Sequence, residues 1–113
     1  FHMGLTQTGL APNFTYMLNG QAHHIAYIVT QVNERAAKMV EPTTEAETEW
    51  VKIVTGPTPM AAYLDVCTPG YYNGEGKNDG PGFLQQYPDG AVKFYNMLTE
   101  WREEGKLEGL IVK

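Results

Sequence analysis

Phe14-Thr15-Tyr16-Met17-Leu18-Asn19-Gly20-Gln21-Ala22-His23-His24-Ile25 reads as three things in succession: an apolar aromatic run, a turn pair and the opening of an amphipathic helix. Residues 14–18 follow the turn signal Gly9-Leu10-Ala11-Pro12-Asn13 and stop at Asn19-Gly20, which predicts a short buried strand. From His23 onward Ile25, Ile28, Val29, Val32, Ala36 and Met39 recur at three- and four-residue spacing, while Gln31, Asn33, Glu34, Arg35 and Lys38 fill the other face. A helix is expected there, with Glu34 and Lys38 as an i,i+4 pair. In open α/β sheets, ligands sit beyond the carboxyl ends of strands, against helix N-termini whose free amides point outward. Asn19 to His24 would occupy that place, although an ordinary strand-to-helix connection carries the same residues.

Downstream, Pro42 ends whatever precedes it, and Thr43 or Thr44 can accept the first free amides of a second helix. Glu45 and Glu47 lie near its positive end, and Trp50, Ile53 and Val54 supply an apolar stripe. Gly56-Pro57-Thr58-Pro59 breaks that helix, and the chain then reads as loop as far as Asp89, apart from a short extended piece at residues 61–66. A third helix is expected from about Gly90 to Glu104, with Val92, Tyr95, Leu98 and Trp101 on one face and Gly105 as its stop. A last strand follows at residues 107–112. The order is strand, helix, helix, long loop, helix, strand: an α/β pattern, helix-rich, with too few strands for a self-sufficient sheet.

At 113 residues the chain has room for one modest domain but not for two cofactor domains. No apolar run approaches the ~20 residues that cross a bilayer. The net charge of −5 offers no electrostatic footprint for a phosphate backbone, so neither nucleic acid nor membrane is expected as a partner. A single cysteine, Cys67, allows no internal disulfide, no metal knuckle and no redox pair, and a cytoplasmic location fits that usage. The first residues lack a basic region and a continuous apolar core, so they do not read as a signal peptide; they read as a chain entered partway through. The sequon Asn13-Phe14-Thr15 is then accidental.

Cys67-Thr68-Pro69-Gly70-Tyr71-Tyr72-Asn73-Gly74-Glu75-Gly76-Lys77 combines turn formers and aromatic rings with neither helical nor strand period. A long patterned loop of this kind usually serves a site, and here it reads as a lid. Gly74-Glu75-Gly76-Lys77-Asn78-Asp79-Gly80 is not a phosphate cradle, because the third glycine comes one place late and no strand and helix frame it. Adjacent His23 and His24 diverge by about 100 degrees on a helix and cannot jointly grip one metal ion. Glu45 and Glu49 share a face while Glu47 points elsewhere, which is a solvated face rather than a catalytic dyad. Cys67 has no motif partner that would make it a nucleophile. No catalytic residue is assigned.

Taken together, the segments at residues 9–14, 41–50 (Glu-Pro-Thr to Glu-Trp), 73–77 (Asn-Gly-Glu-Gly-Lys) and 87–95 resemble, in order and spacing, the C-terminal region of type I Baeyer–Villiger monooxygenases. The Cys-Thr-Pro-Gly-Tyr-Tyr version is most similar to members acting on large cyclic ketones. The resemblance implies the C-terminal part of a dinucleotide-binding, Rossmann-like flavoprotein using FAD, NADPH and O2 to convert a ketone to an ester or lactone. It implies one partial domain: residues 1–40 ending the FAD-binding domain, residues 41–113 supplying C-terminal helices, mobile loop and last strand. Cofactor contacts would come from Asn19, Gly20, Gln21, His23, His24 and Ile25. Substrate or lid contacts would come from Thr68, Pro69, Gly70, Tyr71, Tyr72, Asn73 and Lys77. Asn19-Gly20 stands where many relatives have Gly-Pro, and residues 68–72 stand where many carry a loop tryptophan. The family's glycine motifs and catalytic arginine precede this region, so FAD and NADPH would need polypeptide outside it. The alternatives are a non-catalytic binding or assembly module kept from that fold, or a related flavin hydroxylase acting on nitrogen or sulfur.

Overall fold

The structure, a computed structural model, describes residues 13–58, 62, 63, 65–77 and 87–113. The expected turn at residues 9–12, Ala61 and Leu64 of the extended piece, and Asn78 to Gly80 lie outside the described residues, as do the side chains of Phe14 and Tyr72.

The first helix, α1, spans Phe14–Glu34, so residues 14–18 are helical and not a strand, and Asn19-Gly20 is helix interior and not a turn. A strand needs a neighbour for its amides and carbonyls, and the sheet among the described residues consists of two other segments. A helix closes these bonds within itself. Asn13 starts it: its Oδ1 accepts the Tyr16 amide at 3.0 Å, and its carbonyl accepts the Met17 amide at 3.2 Å. The apolar period runs on to Met39, but the helix does not. Arg35 caps it and Ala36 turns left-handed at φ 51°, so Ala36 and Met39 leave the predicted helical face.

The chain then forms β1 (Val40–Pro42), a strand the sequence did not announce, because three residues including a proline carry no visible alternation. It pairs antiparallel with β2 (Leu110–Val112), in the register Val40↔Val112, Glu41↔Ile111, Pro42↔Leu110. The last strand is thus shorter than expected. Leu107 at φ 55° and Gly109 at φ 81° make a turn immediately before it. Beyond Pro42, the Thr43 amide donates to the Gly109 carbonyl at 2.8 Å.

Helix α2 (Thr44–Val54) starts as its sequence predicts, with Thr43 Oγ1 accepting the Ala46 amide at 3.1 Å and Glu45 and Glu47 in the first turn. After Thr58, residues 62, 63 and 65 are helical where an extended piece was expected; the Ala62 amide reaches back to the Thr58 carbonyl at 3.1 Å. Two tight turns follow at Tyr71–Gly76. Helix α3 (Gly90–Glu104) has the predicted bounds, and Gly105 stops it at φ 67°.

Among the described residues the buried hydrophobic side chains are Met17, Val54, Phe94 and Leu107. The inward face of α3 is therefore set by Phe94, with Tyr95, Leu98 and Trp101 partly covered; Val92, expected inside, is 75% exposed. Phe94 joins α2 to α3: its ring centroid lies 6.0 Å from Trp50 and 5.7 Å from Tyr87, and Trp50 and Tyr87 stack at 13°. Among the described residues the architecture is α1, α2 and α3 joined through these aromatic rings, with a two-stranded sheet that pairs the segment after α1 with the segment after α3, a helix-rich α/β arrangement.

Candidate functional site: the α1–α3 crossing and the loop at residues 67–77

Helices α1 and α3 meet along contacts that advance in the same direction on both. Tyr16 meets Tyr95 edge-on at 5.6 Å, and His24 and Tyr27 meet Trp101 at 5.0 and 6.2 Å. Arg35 donates to the Gly105 carbonyl at 3.2 Å. Gly20 makes this approach possible. A Cβ there would overlap Tyr95 Cε1, closer than nonbonded carbons come. The glycine serves a close helix crossing rather than a turn, at the cost in helix propensity that glycine carries.

Because residues 19–25 are mid-helix, their amides are engaged in the helix and do not form an outward-pointing N-terminus; the expected amide cradle is absent from this stretch. The six expected cofactor residues instead divide by face. Gly20 and His24, half-buried, are on the side that meets α3, while Gln21 is 7% exposed and Ile25 half-buried. Asn19 and His23 are exposed, one turn apart, with Ala22 and Ala26 beside them. That outer strip carries an amide and an imidazole over small side chains, so a flat polar group can lie close to the helix.

The inner side is polar where a core would be apolar. Gln21 Oε1 and the Tyr95 hydroxyl oxygen are buried without a hydrogen-bond partner among the described residues. Burial, and then the neighbouring Tyr16, push the Tyr95 phenol up. Arg102 places Nη1 3.4 Å from His24 Nδ1 and donates through Nη2 to Thr99 Oγ1 at 2.9 Å. Burial, and then the Arg102 charge, hold His24 below its ordinary value of 6.5. A neutral ring with Nδ1 as acceptor fits the guanidinium facing it. Tyr95, Thr99, Trp101 and Arg102 were not expected at this site; Tyr95 and Trp101 read as plain apolar-face residues, and nothing in the spacing marks Arg102.

The loop at residues 67–77 is organised differently. Asn73 Oδ1 accepts the Gly70 amide at 2.8 Å, while its Nδ2 donates to the carbonyls of Cys67 at 3.2 Å and Thr68 at 3.1 Å. The amides of Asn73 and Glu75 both donate to the Gly70 carbonyl, at 3.1 and 2.9 Å. Gly74 and Glu75 lie in the left-handed region at φ 59°, and Gly76 at φ 77° brings its backbone against Pro69, whose Cγ would be 3.2 Å from a Cβ there. Thr68, Pro69 and Lys77 are exposed, and Tyr71 is 68% exposed. Asn73 and Gly70 are partly covered. Of the seven expected lid residues, Asn73 and Gly70 make the bonds that close the loop, the Thr68 carbonyl accepts one of them, and the Lys77 amide donates to the Gly74 carbonyl at 3.1 Å. Cys67 Sγ bonds the Tyr63 carbonyl at 3.3 Å.

Among the described residues no group of three or more histidine, cysteine or acidic side chains could hold a metal ion, and no helix is long and apolar enough to cross a membrane.

Comparison with known proteins identifies the class. The chain is 38% identical over 110 residues to Baeyer–Villiger monooxygenase 4 of Dietzia sp. strain D5, covering 96% of this chain and 18% of that protein. It is 42% identical over 112 residues to pentalenolactone D synthase of Streptomyces exfoliatus (97% and 19%), and 34% identical over 112 residues to FAD-binding monooxygenase hmp7 of Hypomyces subiculosus (97% and 19%). Over nearly its whole length the chain is thus similar to a segment of proteins named Baeyer–Villiger or FAD-binding monooxygenases. It spans about a fifth of the length of the curated relatives it matches. No family model matches the chain, and no solved structure matches it.

Proposed function

We propose that this chain is the C-terminal contribution to an FAD- and NADPH-dependent Baeyer–Villiger monooxygenase, which inserts one oxygen of O2 into a ketone to give an ester or lactone. The observation that carries the reading is homology over nearly the whole chain to proteins named as such monooxygenases. The uncovered apolar side chains agree with it. Val29, Val51, Ile53 and Val92 are exposed on the helices while four hydrophobic side chains are buried among the described residues, so these faces suit cover by further polypeptide. On this reading residues 1–40 complete a Rossmann-like FAD-binding domain, and residues 41–113 form the C-terminal helices, the lid loop and the last strand.

The flavin, when bound, supplies the activation of dioxygen. The chain's own residues do the rest of what is assigned here. Asn19 and His23, on the exposed strip of α1, are the hydrogen-bonding contacts to the cofactor, and Ala22 and Ala26 let it approach. Gly20, Gln21, His24 and Ile25 act behind them by fixing α1 against α3. Thr68, Pro69, Tyr71, Tyr72 and Lys77 form the substrate side of the loop, whose closure would exclude water from the reacting centre. No residue of this chain is assigned the chemical step.

The test uses the complete polypeptide with NADPH, 18O2 and, in separate reactions, a cyclic ketone and a thioether. Ester or lactone carrying one labelled oxygen supports the reading. Sulfoxide from the thioether with unchanged ketone favours a flavin hydroxylase instead, and no labelled product with bound flavin absent favours the non-catalytic module.

A further inference from the structure

The hydrogen bonds within residues 67–77 assign Asn73 a task different from the contact its place in the loop suggests, and we propose that Asn73 is a positioning residue that sets substrate selectivity by holding residues 68–71 in one conformation. The inference rests on the reading of this loop as the substrate side of the site.

A carboxamide has two donor hydrogens and one acceptor oxygen. Both donors of Asn73 have partners, the carbonyls of Cys67 and Thr68, and its oxygen takes the Gly70 amide. The side chain thus spans the loop and gathers polar backbone groups on either side of Pro69. The backbone repeats the closure, since the Asn73 and Glu75 amides converge on the Gly70 carbonyl. A second clasp is steric: Gly76 sits against the Pro69 ring. Between the clasps Thr68, Pro69 and Tyr71 face outward. Their relative placement is set from within the loop, by the Asn73 carboxamide, the Gly70 carbonyl and the Gly76 backbone.

Aspartate, serine and alanine do not reproduce this. Aspartate keeps an acceptor for the Gly70 amide but turns a negative charge toward two carbonyl oxygens; serine is too short to span them; alanine removes all three bonds. Glu75 adds to the case, because a non-glycine residue at φ 59° persists only where its surroundings hold it, and its amide bond to Gly70 is one such restraint. With three side-chain bonds of ordinary net strength gone, the ratio of ordered to open loop should fall roughly tenfold to a thousandfold.

The experiment compares Asn73→Ala and Asn73→Asp with the parent in the complete polypeptide, by two readouts. The first is trypsin cleavage after Lys77, scored against cleavage after Lys106 in the same sample. The second is the ratio of kcat/KM for a bulky polycyclic ketone to that for a small cyclic one, with bound flavin measured alongside. Asn73→Ala should speed cleavage after Lys77 about tenfold or more, in line with the lost bonds, and leave cleavage after Lys106 and flavin content as they are. The selectivity ratio should move about fivefold or more, mainly through KM for the bulky ketone, with Asn73→Asp in between. Faster cleavage with an unchanged ratio overturns the selectivity role. Unchanged cleavage overturns the positioning role altogether, as does a fall of both activities in parallel with melting temperature. If the parent oxidises no ketone, the proposed function fails, and the cleavage readout still decides whether Asn73 orders the loop.

Discussion

The α1–α3 crossing and the loop at residues 67–77 are built on opposite plans. The crossing is close-packed, with aromatic rings edge to face and a glycine where nothing larger fits, yet two of its buried polar atoms have no partner among the described residues. The loop buries little, yet the Asn73 carboxamide and the Gly70 carbonyl hold it by hydrogen bonds. Packing holds the first in place and leaves polar capacity over; hydrogen bonds hold the second and leave aromatic surface over. A helix crossing with unused polar groups suits a surface that further structure completes. A hydrogen-bonded loop with the exposed Tyr71 ring suits a preformed contact surface.

Substitutions should separate the two plans, and the largest effect belongs to the aromatic cluster. Phe94→Ala removes the ring that joins Trp50, Tyr87 and Tyr95, and should cost about 3–5 kcal/mol. Hydrogen exchange in the complete polypeptide should show the loss in α2 and α3 while the amides of residues 70–77 keep their protection. Equal loss in the loop would mean that the two regions are one cooperative unit. Gly20→Val places side-chain atoms inside the Tyr95 ring and should cost about 1–3 kcal/mol in spite of relieving the helix of a glycine. A higher melting temperature for this variant would refute the close crossing.

These expectations rest on positions that the sequence revealed unevenly. Helices α2 and α3 were legible because Thr43, Gly90 and Gly105 supply start and stop signals that act through neighbouring backbone alone. The start of α1 was not, since Phe14, Tyr16 and Leu18 suit a strand as well as a helix, and the choice depends on whether a neighbouring strand is there to pair. Once residues 14–18 are helical, Asn19 and Gly20 fall inside the helix, so the expected site lost its turn and its free amides together. The division of Asn19 and His23 from Gln21 and His24 was available from helical spacing, but only after the helix was extended backward. Asn73 was named from the loop's pattern, whereas its inward role depends on bonds to Cys67, Thr68 and Gly70 that no periodicity reports. Strand β1 was illegible because its partner lies some seventy residues away.

Smaller effects probe the polar side of the crossing. Tyr95→Phe deletes a buried hydroxyl without a partner among the described residues and should stabilise by about 1 kcal/mol. A lower melting temperature in the complete polypeptide would show that the hydroxyl has a partner beyond these residues. The pH response of His24 is smaller still. Its folded value is lowered, first by burial and then by Arg102. As pH falls through the ordinary value of 6.5, the unfolded chain takes up a proton that the folded ring does not, so stability declines until the folded value is reached and then levels off. Arg102→Gln removes the lesser cause, moves the folded value back upward and shrinks the decline. Melting temperature followed against pH for parent and variant checks the sign, and an identical decline in both would remove Arg102 from the account.

On the proposed function, this chain frames a flavin site whose chemistry lies in other polypeptide. The most direct test is a side-by-side assay of the 113-residue chain and the complete polypeptide for bound FAD and NADPH-driven ketone oxidation. Flavin and ester or lactone are expected from the complete polypeptide and neither from the short chain. Tight FAD binding with turnover by the short chain alone, or a complete polypeptide without flavin, would contradict it.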